Sequence, residues 1–270
     1  YDMCKQMILE AFSAGADAVK LQTFEPAEHY LPGTESYKTY RGTMFSDIQI
    51  TKIFRYAKDL GIDIFSSCGD FRTIDLINKL NPVAFKVSSG MIENYPIINY
   101  LLRLNKPVIF STGMSEDKEI NKLVQLIRKS KNRNVCLMHC VSLYPVPKYK
   151  NNLECIRTLK NKYKFHVGFS DHSLGSYASE LAVSIGARII EKHFTLDSKK
   201  DKFDHKISLN AKAFRLFVKR IRNVEKILGS GKKELCKEEK INAFKFKRYI
   251  VANKTLKIGQ YLSLNDIALM

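Results

Sequence analysis

The chain lacks any apolar run approaching the roughly 20 residues of a membrane helix, so no helical span is expected. It also lacks a C-x-x-C pair among Cys4, Cys68, Cys136, Cys140, Cys155 and Cys236, so a thiolate zinc site is not expected. Scattered thiols without a disulfide-rich pattern point to a reducing compartment, and a cytoplasmic location is the expectation. They read as small buried hydrophobes. There is no internal repeat and no low-complexity segment. With 45% hydrophobic residues in 270, the chain is too apolar for disorder and long enough for one large domain, or one domain with a small appendage. It opens at Tyr1 without a start methionine, so a missing N-terminal piece and a removed signal both stay open.

Acidic residues are scarce: 27 Asp and Glu against 45 Lys and Arg, a net charge of +18. That balance suits either a nucleic acid or a small anionic substrate. Position discriminates the two. Residues 199–257 carry 19 Lys and Arg against 6 Asp and Glu, so most of the excess lies in the C-terminal quarter. Phe214 and Phe217 there fall on the apolar face of a helical stretch, Ala211–Leu228, rather than forming stacking platforms, so no nucleic-acid partner is expected.

What the sequence does contain is alternation. Strand-like runs occur at Ala16–Thr23, Asp63–Cys68, Ala84–Gly90, Pro107–Gly113, Val135–Val141, His166–His172 and Ile189–Thr195. Amphipathic stretches such as Asp47–Leu60, Ser115–Arg128 and Leu174–Ile185 lie between them. Strand–helix alternation calls for a parallel sheet with helical crossovers. Seven strands follow an opening helix, Met3–Ser13. One strand before it would give the eight of a (β/α)8 barrel of about 250 residues. A doubly wound sheet is the weaker reading, because no Gly-rich dinucleotide turn follows any strand. The last barrel helix is Ala211–Leu228, ended by Gly229 and Gly231. The expected organisation is a barrel over 1–230, a charged linker over 231–247 and the start of a small β-rich module over 248–270.

In a barrel, chemistry sits at the C-terminal strand ends. Those ends carry Lys20 and Gln22, Ser66 and Ser67, Lys86, Ser88 and Ser89, and Ser111 and Thr112. They continue with His139 and Ser142, Ser170 to His172, and Glu191 to His193. Strand alternation places Lys20 with Gln22, Ser170 with His172, and Glu191 with His193 on shared faces. If those faces are interior, two lysines, several hydroxyls and two imidazoles converge. Lysines and hydroxyls suit a phosphate and a carboxylate. Imidazoles on adjacent strand ends suit one divalent metal. A strand histidine is more often a satisfied core residue, and His139 and His166 read that way. His29 and His205 lie outside the strands and are left unassigned.

These segments resemble a known family. AGADAVKLQTF (14–24), FKVSSG (85–90), KPVIFSTGM (106–114), HCVSLYPVP (139–147), VGFSDH (167–172) and IEKHFT (190–195) are similar, in order, to motifs of the nonulosonic acid synthases. That family includes the sialic, legionaminic and pseudaminic acid synthases. Residues 248–270 resemble the opening of the family's C-terminal antifreeze-like (SAF) domain. The resemblance implies a C–C bond-forming transferase. It would condense phosphoenolpyruvate with an N-acylated hexosamine, using Mn²⁺ or, in its place, Mg²⁺ or Co²⁺. By the same resemblance His172 and His193 are the metal ligands, with Glu191 beside the metal. Lys20 and Ser67 lie near the phosphoenolpyruvate carboxylate, and Gln22 joins the substrate-binding set. Lys86, Ser89, Ser111, Ser142 and Ser170 cradle the phosphate. Tyr144 and Asp204 face the sugar, and Lys20, Lys86 and Glu191 form the catalytic set. A homodimer with exchanged SAF domains is implied too. The chain departs from the pattern at Met91, where many members have an acid, with Glu93 two residues on. A catalytically impaired barrel that binds carbohydrate or a partner is therefore the alternative.

Overall fold

Seven parallel strands form one sheet in sequential order, β1 to β7. They are β1 Ala18–Thr23, β2 Asp63–Cys68, β3 Phe85–Val87, β4 Val108–Ser111, β5 Val135–Cys140, β6 His166–Asp171 and β7 Ile189–Lys192. The computed structural model describes residues 1–200 and 203–270. Its contacts divide them into two units, Tyr1–Leu228 and Gly229–Met270.

In the first unit helices separate the strands. α1 is Asp2–Ser13; α2 (Pro26–His29), α3 (Glu35–Arg41) and α4 (Asp47–Leu60) lie between β1 and β2. α5 Phe71–Lys79, α6 Tyr95–Arg103, α7 Asp117–Lys129, α8 Glu154–Tyr163 and α9 Tyr177–Ser184 follow successive strands, and α10 is Ala211–Leu228. Local chemistry sets their ends. Ser46 and Gln49 close a capping box on α4, and Gly61 ends it at φ +81°, where a Cβ would be strained. The Asp70 carboxylate accepts the Thr73 N–H at the start of α5.

The strands alternate between two apolar environments. Outward residues such as Ile64, Phe85, Phe110, Leu137 and Phe169 pack with the helices in the main core. Inward residues Phe65, Ala84, Ile109, Cys136, Met138 and Ile189 form a smaller, separate cluster. Two-sided burial of this kind is what a parallel sheet under helices requires. Phe110 is fully buried on β4. Phe110→Ala is expected to lower the unfolding free energy by about 3–5 kcal/mol, read by urea denaturation.

The sheet is curled into a barrel wall. β1 and β7 are its two edges. Flat, strands six spacings apart would lie about 29 Å from each other. Yet the Lys20 ammonium on β1 meets the Glu191 carboxylate on β7 at 3.0 Å. Outside the sheet α10 packs on both α9 and α1, and buries Phe217 and Ile221.

The sequence reading needs several adjustments; β4 and β7, for instance, end at Ser111 and Lys192 rather than at Gly113 and Thr195. β1 begins at Ala18 rather than Ala16, because residues 14–16 make the exit turn of α1 around Gly15 at φ +92°. β3 is three residues long, since Ser89–Met91 wind into a 3₁₀ turn. The expected linker contains a helix, α11 (Lys237–Phe246), whose first turn carries Glu238 and Glu239. In the second unit β8 (Ile250–Ala252) pairs antiparallel with β9 (Ile267–Leu269). Asp266 is the one buried residue there.

Candidate active site

The inward face of the sheet turns polar above its apolar cluster. Register continues the alternation, with Gln22 opposite Ser67, Ser67 opposite Lys86, and Ser170 opposite Glu191. Glu191 is the centre of this layer. Lys86 Nζ donates to both its oxygens, at 2.9 and 3.0 Å, Lys20 Nζ stands 3.0 Å away, and Ser170 Oγ donates at 2.8 Å. Burial pushes the Glu191 carboxyl up, but Lys20 and Lys86 outweigh it and hold the group well below the usual carboxylate range. Lys86 is itself buried, 2% exposed; burial and then Lys20 lower its pKa while Glu191 opposes them. Two cations thus share one carboxylate at the floor of a mouth open to solvent on the Lys20 side, whose side chain is 28% exposed.

The two imidazoles lie just past their strands. His172 and His193 have ring centroids 5.4 Å apart. His172 Nδ1 is 2.8 Å from the Val141 carbonyl, which fixes it as the protonated nitrogen and leaves a lone pair on Nε2. Nε2 lies 3.3 Å from Ser170 Oγ. His193 Nδ1 lies 3.5 Å from the Asp204 carboxylate. Asp204 is brought there by a 3₁₀ turn, Phe203–Ile207, that follows β7. Burial lowers both imidazoles, His193 to about 4, so both are neutral near pH 7. The Tyr144 ring lies tilted over His172, with centroids 4.3 Å apart, and edge-on to His193 at 6.1 Å. Burial first, then Cys140, Asp204 and Glu191, push its phenol up to about 12, so it stays protonated.

Two neutral imidazoles fit a divalent cation that takes its remaining ligands from water and substrate. Among the described residues no group of three His, Cys, Asp or Glu gathers as a closed metal site. An open site of that kind suits catalysis better than structural support.

Ser89 and Ser142 form a second cluster, around Gly113. Ser89 Oγ accepts the Gly113 N–H at 3.1 Å and sits 3.2 Å from Cys140 Sγ. A Cβ on Gly113 would lie 2.6 Å from Ser142 Oγ and 2.8 Å from both Cys140 Sγ and Ser89 Oγ. Gly113→Ala is therefore expected to push these side chains aside, read as displaced Ser89, Cys140 and Ser142 in a crystal structure of the variant. Ser111 is buried two residues earlier on the same face. Gln22 and Ser67 line a small recess with Phe24, His29, Ser88 and Met91. Glu93 is exposed and does not line that recess.

Of the two histidines read as core residues, His139 is buried and His166 is not. His139 points outward, 2.8 Å from the Asn151 carbonyl and stacked on Phe169. His166 is exposed at the start of β6, and His205 Nδ1 is 2.6 Å from Thr195 Oγ1. His29 packs against Phe24 and Gly69. Sequence reasoning missed the Gly113 cradle, Cys140 beside it, and an ion pair between Asp171 and Lys192. A cleft of about 610 Å³ lies elsewhere, at the opposite end of the strands, between the C-termini of α6 and α7. Its Arg103 and Lys129 sit in last helical turns, where they offset the helix dipoles without any ligand.

A protein-family model described as the NeuB family matches residues 7–233. The chain belongs to the NeuB family. This NeuB-family chain is 34% identical to N,N'-diacetyllegionaminic acid synthase of Campylobacter jejuni, over 98% of its own length and 84% of the relative's. It is 31% identical to the pseudaminic acid synthase of the same species, over 98% and 81%. The crystal structure of N-acetylneuraminic acid synthetase from Leptospira borgpetersenii, in complex with citrate, superposes with a TM-score of 0.85 at 31% identity. That match covers 90% of this chain and 85% of the other. The relatives are synthases of nonulosonic acids, and they differ from one another in product.

Proposed function

We propose that this protein condenses phosphoenolpyruvate with an N-acylated hexosamine, N-acetylmannosamine or a related 2,4-diamino sugar. The products are a nine-carbon nonulosonic acid and inorganic phosphate. The observation that carries this reading is the convergence of Lys20 and Lys86, at 2.9–3.0 Å, on one carboxylate beside two neutral imidazoles. An incoming dianion meets both ammonium groups at once, and binding there replaces an internal anion by the substrate's own.

In this reading Lys86, Ser89, Ser111, Ser142 and Ser170 hold the phosphate, while Lys20, Gln22 and Ser67 hold the carboxylate. Fixed donors in a buried site supply positioning and charge stabilisation. Tyr144, a neutral donor, and Asp204, a carboxylate, face the sugar. His172 and His193 would hold a divalent ion, Mn²⁺ or a similar one, which supplies Lewis acidity toward the sugar aldehyde. C3 of phosphoenolpyruvate forms the new bond to the aldehyde carbon. Water adds at C2, and phosphate leaves with its bridging oxygen as the C–O bond breaks. The water gives up two protons: one ends on the alkoxide, and the other leaves with the phosphate as the C2 hydroxyl becomes the carbonyl. Glu191, an ionised acceptor, is our candidate to carry the first of them.

The test is phosphate release from phosphoenolpyruvate by the full-length protein, across a panel of N-acylated hexosamines. Release is expected to need both an acceptor and Mn²⁺. Release with no acceptor of the panel sinks the reading. Met91 in the recess motivates a second reading, a barrel that binds without turnover. Substrate binding with no release would favour it.

A further inference from the structure

We infer that Asp171 and Lys192 form a buried brace that sets the spacing of His172 and His193, and through it the affinity of the site for a divalent cation. This rests on the two-imidazole metal site proposed above. Asp171 and Lys192 are register partners, the last pair of the β6–β7 ladder. Beyond them no strand pairing ties His172 to His193. Their side chains alternate to the opposite side of the sheet from the imidazoles, meet at 3.2 Å and are completely buried.

The brace also grips the loop that follows β6. Asp171 accepts from the Ser173 N–H at 2.8 Å, from Ser173 Oγ at 2.6 Å and from Ser179 Oγ on α9 at 2.6 Å. Lys192 donates to the Ser173 carbonyl as well. His172 is thus flanked on both sides by residues held to Lys192, and His193 directly follows that lysine. A buried ion pair is poor support for stability alone, since an apolar pair often serves as well. What a fully hydrogen-bonded pair adds is a fixed lateral distance. Partners behind metal ligands commonly change affinity 10- to 100-fold, roughly, when removed.

The test measures Mn²⁺ binding by the decrease of the free-ion electron paramagnetic resonance signal, beside thermal melting. Lys192→Met leaves a buried carboxylate unpaired and is expected to lower both melting temperature and Mn²⁺ affinity. The double variant Asp171→Asn with Lys192→Met carries no buried charge and is expected to recover most of the melting temperature. Its Mn²⁺ affinity is expected to stay about 10- to 100-fold below that of the unaltered protein. A purely structural pair would recover both. Ser179→Ala, which trims one hydroxyl from Asp171 and keeps the charges, is expected to weaken Mn²⁺ binding in the same direction by a smaller factor.

His172→Ala separates the two ideas. If it abolishes Mn²⁺ binding while the folded double variant and Ser179→Ala bind as the unaltered protein does, the brace is wrong and the metal site stands. If the unaltered protein binds no Mn²⁺, or His172→Ala changes nothing, the two-imidazole site is wrong and the brace falls with it.

Discussion

Lys86→Met is expected to lower kcat/KM for phosphoenolpyruvate by about a thousandfold or more, because it removes a buried, pre-positioned cation from the substrate dianion. The loss has two physical parts. Lys86 is 2% exposed and donates to both oxygens of Glu191. Without it the carboxylate faces the incoming dianion with Lys20 alone to offset it, so like charges meet at the floor of the site. The same change leaves a largely buried carboxylate short of a partner, which costs about 3–5 kcal/mol of stability. The double variant Lys86→Met with Glu191→Gln isolates the stability part, since Glu191 is also the proposed proton carrier. It is expected to recover most of the melting temperature and none of the activity. Recovery of activity would mean that the cation serves only to neutralise Glu191. Steady-state phosphate release and thermal melting on the same preparations read both quantities.

His172→Ala is the second large effect. It deletes one of the two imidazoles proposed to hold the ion, and leaves His193 with the Asp204 carboxylate beside it. Mn²⁺ affinity is expected to fall roughly 100-fold or more, beyond the range seen for partners behind a ligand. Turnover is expected to become insensitive to added Mn²⁺ over the range that saturates the unaltered protein. The fold should be little changed, since His172 makes one hydrogen bond to backbone, with Val141, and lies beyond the end of β6. Calorimetric titration with Mn²⁺ gives the affinity directly. An unchanged isotherm would remove His172 from the ligand set.

Much of the barrel is legible because each strand has to be apolar on both faces. Val108, Ile109 and Phe110 read as a continuous run, and that is how a parallel strand between helices must read. The period-2 rule then sorts the strand ends, placing Lys20, Lys86, Ser170, Glu191, His172 and His193 on one side. What alternation does not contain is curvature. That Lys20 and Glu191 touch follows from how far the sheet bends between its edges, which no single strand encodes. The Asp171–Lys192 pair is hidden for a related reason. Outward charged residues next to motif histidines look like solvated flanks until the register of two strands is known. The Gly113 cradle depends on three segments, 89, 113 and 140–142, meeting at one atom. Helix α11 was obscured by its charge. Lys237–Phe246 has no buried face, and its Ile241 and Phe244 are exposed, so periodicity gave no signal. Its cap is Cys236, an unusual residue for that place, whose Sγ accepts the Glu239 N–H.

Most of the chain's excess of positive charge lies in residues 199–257 and outside the two lysines of the polar layer. Within the polar layer two lysines are balanced against Glu191 alone, with Ser67, Ser89, Ser111, Ser142, Ser170 and two neutral imidazoles around them. The net +18 therefore describes the surface of the C-terminal quarter more than the substrate.

The most direct test follows an oxygen atom. The full-length protein is incubated with phosphoenolpyruvate carrying ¹⁸O in its bridging position, an N-acylated hexosamine and Mn²⁺, and the products are weighed by mass spectrometry. The expected result is a sugar acid three carbons longer than the acceptor, with the label in the released phosphate. Label retained in pyruvate, with no elongated sugar from any acceptor, would contradict the proposed condensation.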